Sequence, residues 1–189
     1  MEELNTPLEV WGVHFLEPEG FCCVLLRVEF TNTFVVAWVD RADADVVNAF
    51  LNGHLWSRPH THHVLEAALE DLGGLADIRL IGESEGVFLG ELATNSGFVV
   101  DCRLSDAVVQ SLLSGIPILA GESTLQAAVH ISNAALEEYF DVEGPVDTTD
   151  GQGAESSPGQ QANNDFAEMM KKMGVTESDL LGENDTDVT

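Results

Sequence analysis

Two short stretches carry residue types that could do chemistry together. The first is Ser57-Arg58-Pro59-His60-Thr61-His62-His63 and the second is Asp101-Cys102-Arg103-Leu104-Ser105-Asp106-Ala107. Each sets an arginine, a hydroxyl and a titratable side chain just ahead of an apolar helical pattern. Helix N-termini offer unpaired N–H groups and partial positive charge, so an arginine there adds to a natural place for phosphate oxygen. Arg41, ahead of Asp45-Val46-Val47-Asn48-Ala49-Phe50-Leu51, makes the arrangement a third time. Histidine titrates near neutrality and suits general acid or base work, which makes His62 the candidate proton-transfer group. Asp106 is the candidate to orient it, provided folding joins the two stretches. Arg58 and Arg103 are then the phosphate clamps, with Thr61, Ser105 and Arg41 as further substrate contacts. Asp101 and Asp106 would offer oxygen ligands to Mg²⁺ or Mn²⁺, hard ions that accompany phosphate chemistry.

A plainer reading covers much of the same ground. Thr61 and Ser105 are natural N-caps, Asp106 complements a helix dipole, and Gly115 with Pro117 ends the second helix. Asp43 likewise reads as helix-entry chemistry. His54, His60, His62 and His63 crowd into ten residues. That stretch holds no Asp or Glu, and adjacent histidines at a helix start diverge, which argues against a dedicated transition-metal site.

The charge balance frames these candidates. Seven Lys and Arg stand against 33 Asp and Glu, a formal net charge of −26 at pH 7. Such a surface repels a polyanion at long range, most strongly at low salt, and it disfavours tight non-specific duplex binding, which needs many cationic phosphate contacts. No apolar run approaches the roughly 20 residues of a membrane span, and the first residues lack the features of a secretory signal. The chain reads as cytoplasmic. Its three cysteines contain no CxxC pair, and Cys22 and Cys23 alternate on a strand pattern, so free thiols are expected.

The elements that must position the candidates repeat with an offset of 62. Arg41 to Gly53 aligns with Arg103 to Gly115, and Thr61 aligns with Ser123. Three strand patterns precede each unit: Leu8–Leu16, Phe21–Phe30 and Thr33–Val39, then Asp77–Ile81, Gly86–Leu92 and Gly97–Cys102. Short connections favour antiparallel neighbours. The expected fold is α+β, with duplicated β3-α2 units forming one curved, barrel-like mixed or antiparallel sheet packed by four helices. This domain spans residues 1–142. Residues 143–163 form an acidic linker rich in Gly, Pro and Ser, expected to be disordered. A short amphipathic helix over 164–174 follows, with Phe166, Met169, Met170 and Met173 on one stripe, and an acidic tail over 175–189 ends the chain. The stripe is expected to dock on the core, a neighbouring subunit or a partner groove. A homo-oligomer is the expected assembly.

These segments resemble the bifunctional nuclease family over roughly Leu8 to His130. The family's Arg-Pro-x-Thr-His-Asp stretch is similar to Arg58-Pro59-His60-Thr61-His62-His63, and its Arg-Pro-Ser-Asp-Ala stretch to Arg103-Leu104-Ser105-Asp106-Ala107. Trp38-Val39-Asp40-Arg41-Ala42-Asp43-Ala44, Gly86-Val87-Phe88 and Pro117-Ile118 resemble three more of its segments, in the same order. His63 stands where the family has Asp, Asp40 where it has Gly, and Leu104 where it has Pro. The resemblance implies a duplicated three-strand, two-helix fold and cleavage of DNA and RNA. The expected function is therefore phosphodiester hydrolysis with little sequence preference. The alternative is a non-catalytic binding or regulatory module with an anion pocket at two helix N-termini.

Overall fold

A computed structural model describes residues 6–16 and 20–145. The linker, amphipathic helix and acidic tail expected after the core lie outside the described residues.

The first half is an antiparallel meander of β1 (Thr6–Leu16), β2 (Phe21–Val28) and β3 (Thr33–Val39). Two eleven-residue helices follow, α1 (Arg41–Leu51) and α2 (Thr61–Asp71). The second half opens the same way, with a meander of β4 (Leu75–Ser84), β5 (Val87–Thr94) and β6 (Val99–Arg103), then the helix α3 (Leu104–Ser114). The halves then diverge. A strand, β7 (Ile118–Ala120), precedes the short helix α4 (Glu122–Gln126), and β8 (Val129–His130) and α5 (Asn133–Phe140) close the described chain.

Three sequence expectations change accordingly. The sheet has eight strands in the order β6-β5-β4-β7-β1-β2-β3-β8, rather than six, and it is open, with β6 and β8 at its edges. Five helices are described rather than four. Strict duplication is not reproduced, because β7 stands between α3 and α4 and α4 is less than half the length of α2. The missed strands have two and three residues, too short for alternation to register in a sequence.

β7 joins the two meanders. Ile118 pairs with Leu8 of β1 in antiparallel register and with Ile78 of β4 in parallel register, and all three side chains are buried. A parallel neighbour needs a long crossover, made here by β5, β6 and α3, with α3 packed on one face of the sheet. That face holds the larger core: Val24, Leu26, Val35 and Ala37 from β2 and β3, Ile78 and Leu80 from β4, Leu92 from β5, and Leu104, Ala107, Val108 and Val109 from α3. Alternate residues of β2 and β3, including Cys23, Leu25, Phe34 and Val36, point to the opposite face and pack under Leu136 and Phe140 of α5. β2 is thus buried on both faces, which explains its near-continuous apolar run. Cys22, Cys23 and Cys102 are free thiols. No helix among the described residues is long and apolar enough to cross a membrane.

Gly90 sets the spacing between β5 and β6. A Cβ there would sit 2.9 Å from the Cys102 carbonyl oxygen and 3.0 Å from its Sγ. The obstacle is largely backbone, so the strands would have to separate. Gly90→Ala is expected to cost about 1–3 kcal/mol in urea unfolding and to disturb the Arg103 end of β6. Gly82→Ala, whose Cβ meets only the Ser123 hydroxyl at 3.4 Å, serves as the mild comparison.

Candidate active site

The two stretches meet. β6 ends at Arg103, and the backbone turns directly into α3, with Arg103 as the N-cap residue. Asp106, at the third helical position, reaches back to accept from the Arg103 backbone N–H at 3.3 Å. It is thereby held facing the start of α2, where His62 Nε2 lies 3.1 Å from Asp106 Oδ1. Gln110, one turn further along α3 and fully buried, donates from Nε2 to the His62 carbonyl oxygen at 3.2 Å and ties the two helices at the backbone.

Arg103 organises the carboxylates. Its Nε and Nη2 donate to the two oxygens of Asp106, each at 3.0 Å, and its Nη1 donates to both oxygens of Asp43 on α1 at 2.8 Å. Ser105 Oγ donates to Asp43 at 3.0 Å. A bidentate arginine–carboxylate fork is among the stronger charge-assisted arrangements. Here one guanidinium serves two helices. The bonds use three or four of the five N–H donors of arginine, and the side chain stays 61% exposed, so at least one donor faces outward.

The electrostatics follow from these contacts. Asp106 is held well below the usual carboxylate range, first by its hydrogen bond to His62 and then by those from Arg103, against the opposing effect of burial. The guanidinium of Arg103 is pushed above its ordinary value, chiefly by its hydrogen bond to Asp106. Burial, reinforced by Asp106 and Asp101, pushes the Cys102 thiol up to about 12. A thiol in that state is no nucleophile at neutral pH.

His62 is flanked on its other side by His60. The two Nδ1 atoms are 3.1 Å apart and the ring planes differ by 2°. His63 Nδ1 accepts from the His60 backbone N–H at 3.2 Å. Phe50 of α1 lies against the rings of His60, His62 and His63, and Trp56 packs on Phe50 with centroids 4.4 Å apart. Trp56 is therefore a wall of the site's support.

Asp43, His60, Thr61, His62, Asp101, Arg103 and Asp106 share a cavity of about 380 Å³ between α1, α2 and β6. Its apolar lining includes Val46, Leu65 and Leu92. Of the residues singled out in the sequence, Thr61, His62, Asp101, Arg103 and Asp106 come together there. Arg58 is exposed and outside the lining. Arg41 pairs with Asp45 at 3.1 Å and lies over the Phe15 ring. Ser105 is buried and engaged by Asp43. The N-caps are His60 and Arg103, one and two residues earlier than Thr61 and Ser105.

Of the two residues expected to offer oxygen to Mg²⁺ or Mn²⁺, Asp101 lines the cavity and Asp106 is engaged by Arg103. Among the described residues no three His, Cys, Asp or Glu side chains converge on a common point. The guanidinium of Arg103 takes both oxygens of Asp106 and of Asp43, so a cation already occupies the space between those carboxylates.

His60, Asp43 and Gln110 were not among the candidates the sequence offered. Asp43 had one signal, since the repeat sets it opposite Ser105, the residue it contacts. His60 and Gln110 had none, because their roles depend on how α2 and α3 pack.

The three departures from the family's motifs keep their local roles. Asp40 is the N-cap of α1, accepting from the Asp43 backbone N–H at 2.8 Å, a position glycine also suits. Leu104 is the first residue of α3 and buried, where proline is well tolerated. His63 accepts from the N-cap N–H of α2, as a carboxylate three residues past the cap would.

The fold and the site together define an α+β domain with a His–Asp pair anchored by a shared arginine. Its sequence agrees with the bifunctional nuclease domain over residues 24–133, which contain every residue of the site, and the chain belongs to that family. It is also similar to an uncharacterized protein of Mycobacterium tuberculosis strain CDC 1551 / Oshkosh and to one of strain ATCC 25618 / H37Rv. Each is 28% identical over 133 residues, covering 69% of this chain and 81% of the relative.

Asp106→Asn tests the anchoring directly. A group with a depressed folded pKa stabilises fully above its unfolded value and loses that contribution as pH falls toward the folded one. The variant is expected to be less stable by about 2 kcal/mol at pH 7. The gap from wild type should narrow below about pH 4, the ordinary aspartate value, in urea titrations at stepped pH.

Proposed function

We propose that this chain hydrolyses phosphodiester bonds of DNA or RNA with little sequence preference, using the cavity between α1, α2 and β6. The observation that carries this reading is the 3.1 Å contact between His62 and Asp106 in a cavity that Arg103 also lines. Asp106 stays ionised, accepts from His62 Nε2–H and stabilises the imidazolium that forms when the histidine pair takes a proton from water. Such acid–base assistance contributes about 10²–10⁴-fold in rate. The outward N–H of Arg103 is available to a non-bridging phosphate oxygen as charge builds in the transition state. Asp43 and Asp106 keep the guanidinium from reorganising at that moment.

The formal net charge of −26 shapes how substrate arrives. A cytoplasmic setting, with abundant counterions, belongs to the same reading because screening relieves the repulsion. Self-association is supported by Val87, Leu89 and Val99, exposed apolar residues beside the unpaired β6 edge.

The purified chain is expected to cut single-stranded DNA or RNA in buffer containing Mg²⁺ as counterion to the substrate. His62→Ala and Asp106→Ala should each lower the rate at least 100-fold. The association rate should rise between about 10 and 150 mM salt, opposite to the trend of cationic nucleic-acid binders. Undiminished cutting by both variants would reject the assignment. Anion-dependent thermal stabilisation without any cutting would instead favour the non-catalytic pocket, a reading that the double carboxylate pairing of Arg103 supports.

A further inference from the structure

The proton acceptor is a residue that the sequence did not single out. Both ring nitrogens of His62 are engaged: Nε2 faces Asp106 Oδ1 at 3.1 Å and Nδ1 faces His60 Nδ1 at 3.1 Å. An ionised carboxylate only accepts hydrogen bonds, so neutral His62 carries its proton on Nε2 and presents a lone pair at Nδ1. The opposing Nδ1 of His60 must then be the protonated one. That leaves the lone pair of His60 Nε2 on a ring that lines the cavity.

We infer that His60 is the catalytic base of this site, that its Nε2 takes the proton from the attacking water, and that His62 is the positioning residue that carries the resulting charge. This rests on the hydrolytic reading above. In the step, one O–H bond of water breaks and its proton bonds to His60 Nε2, while the water oxygen forms the new P–O bond. The His60 Nδ1 proton moves to His62 Nδ1, so His60 ends neutral and His62 becomes an imidazolium against Asp106. The P–O bond to the leaving oxygen breaks with its electron pair, and that oxygen takes a proton from solvent.

Three observations support the assignment. The near-parallel rings and short nitrogen contact give His60 and His62 an edge-to-edge hydrogen bond rather than a face stack. His60 is held below its ordinary value by burial, then by the neighbouring His62 and His63, which favours its neutral form. Phe50 and Trp56 pack on the His60 ring and restrict its rotation.

The test has two arms on the full chain. In ¹⁵N-histidine spectra near pH 7.5, assigned with His60→Asn and His62→Asn variants, His60 is expected in the Nδ1–H form and His62 in the Nε2–H form. Finding His60 in the Nε2–H form would overturn the relay whether or not the chain cleaves anything. Where cutting is observed, His60→Asn, which keeps a good helix cap, should lower kcat at least 100-fold with KM within about twofold and an unchanged fold by circular dichroism. Retained kcat in that variant would reject His60 as the base. A wild-type chain that cuts no nucleic acid but shows the expected tautomers would reject hydrolysis and with it the base role of His60, and would leave only the hydrogen-bonded histidine pair standing.

Discussion

One guanidinium holds the site together. Arg103 stands at the junction of β6 and α3 and donates to Asp106 on its own helix and to Asp43 on α1. Through Asp106 the linkage reaches His62 on α2. Three helix starts are thereby fixed around one positive charge, in a chain with few such charges to place. The cost of gathering two carboxylates is offset only because the arginine is between them, and both forks are short. The side chain nevertheless stays largely exposed.

The fold supplies the convergence that this linkage needs. α3 is buried along most of its length against one face of the sheet, and β7 pairs with a strand of each meander and so joins them. Gln110 adds a second tie, from the buried face of α3 to the His62 backbone. The histidines are supported differently. Phe50 and Trp56 form an aromatic floor beneath them, so the imidazoles are oriented by packing as well as by hydrogen bonds.

The cavity is not a phosphate site of the usual cationic kind. Asp43, Asp101 and Asp106 face it together with a single arginine. Asp106 is bonded to both His62 and Arg103, so this carboxylate is already engaged. Arg41 is engaged by Asp45 and Phe15, and Arg58 lies outside the lining, so Arg103 alone serves the cavity.

The amino-acid sequence by itself determined the local elements. Six strands, the three long helices and the stop of α3 at Gly115, which takes a left-handed conformation, follow from alternation, helical spacing and turn residues. His62, Asp106 and Arg103 were legible for the same reason, since their types and their places ahead of apolar patterns are local facts. The tertiary structure alone decided that His62 meets Asp106 and that Arg103 is shared with Asp43. Those contacts span 44 and 60 residues of chain. They depend on which helix faces pack together, and periodicity specifies a face without specifying its partner. β7 and β8 fell in the same class, because strands of two and three residues acquire their identity only from the neighbours they pair with.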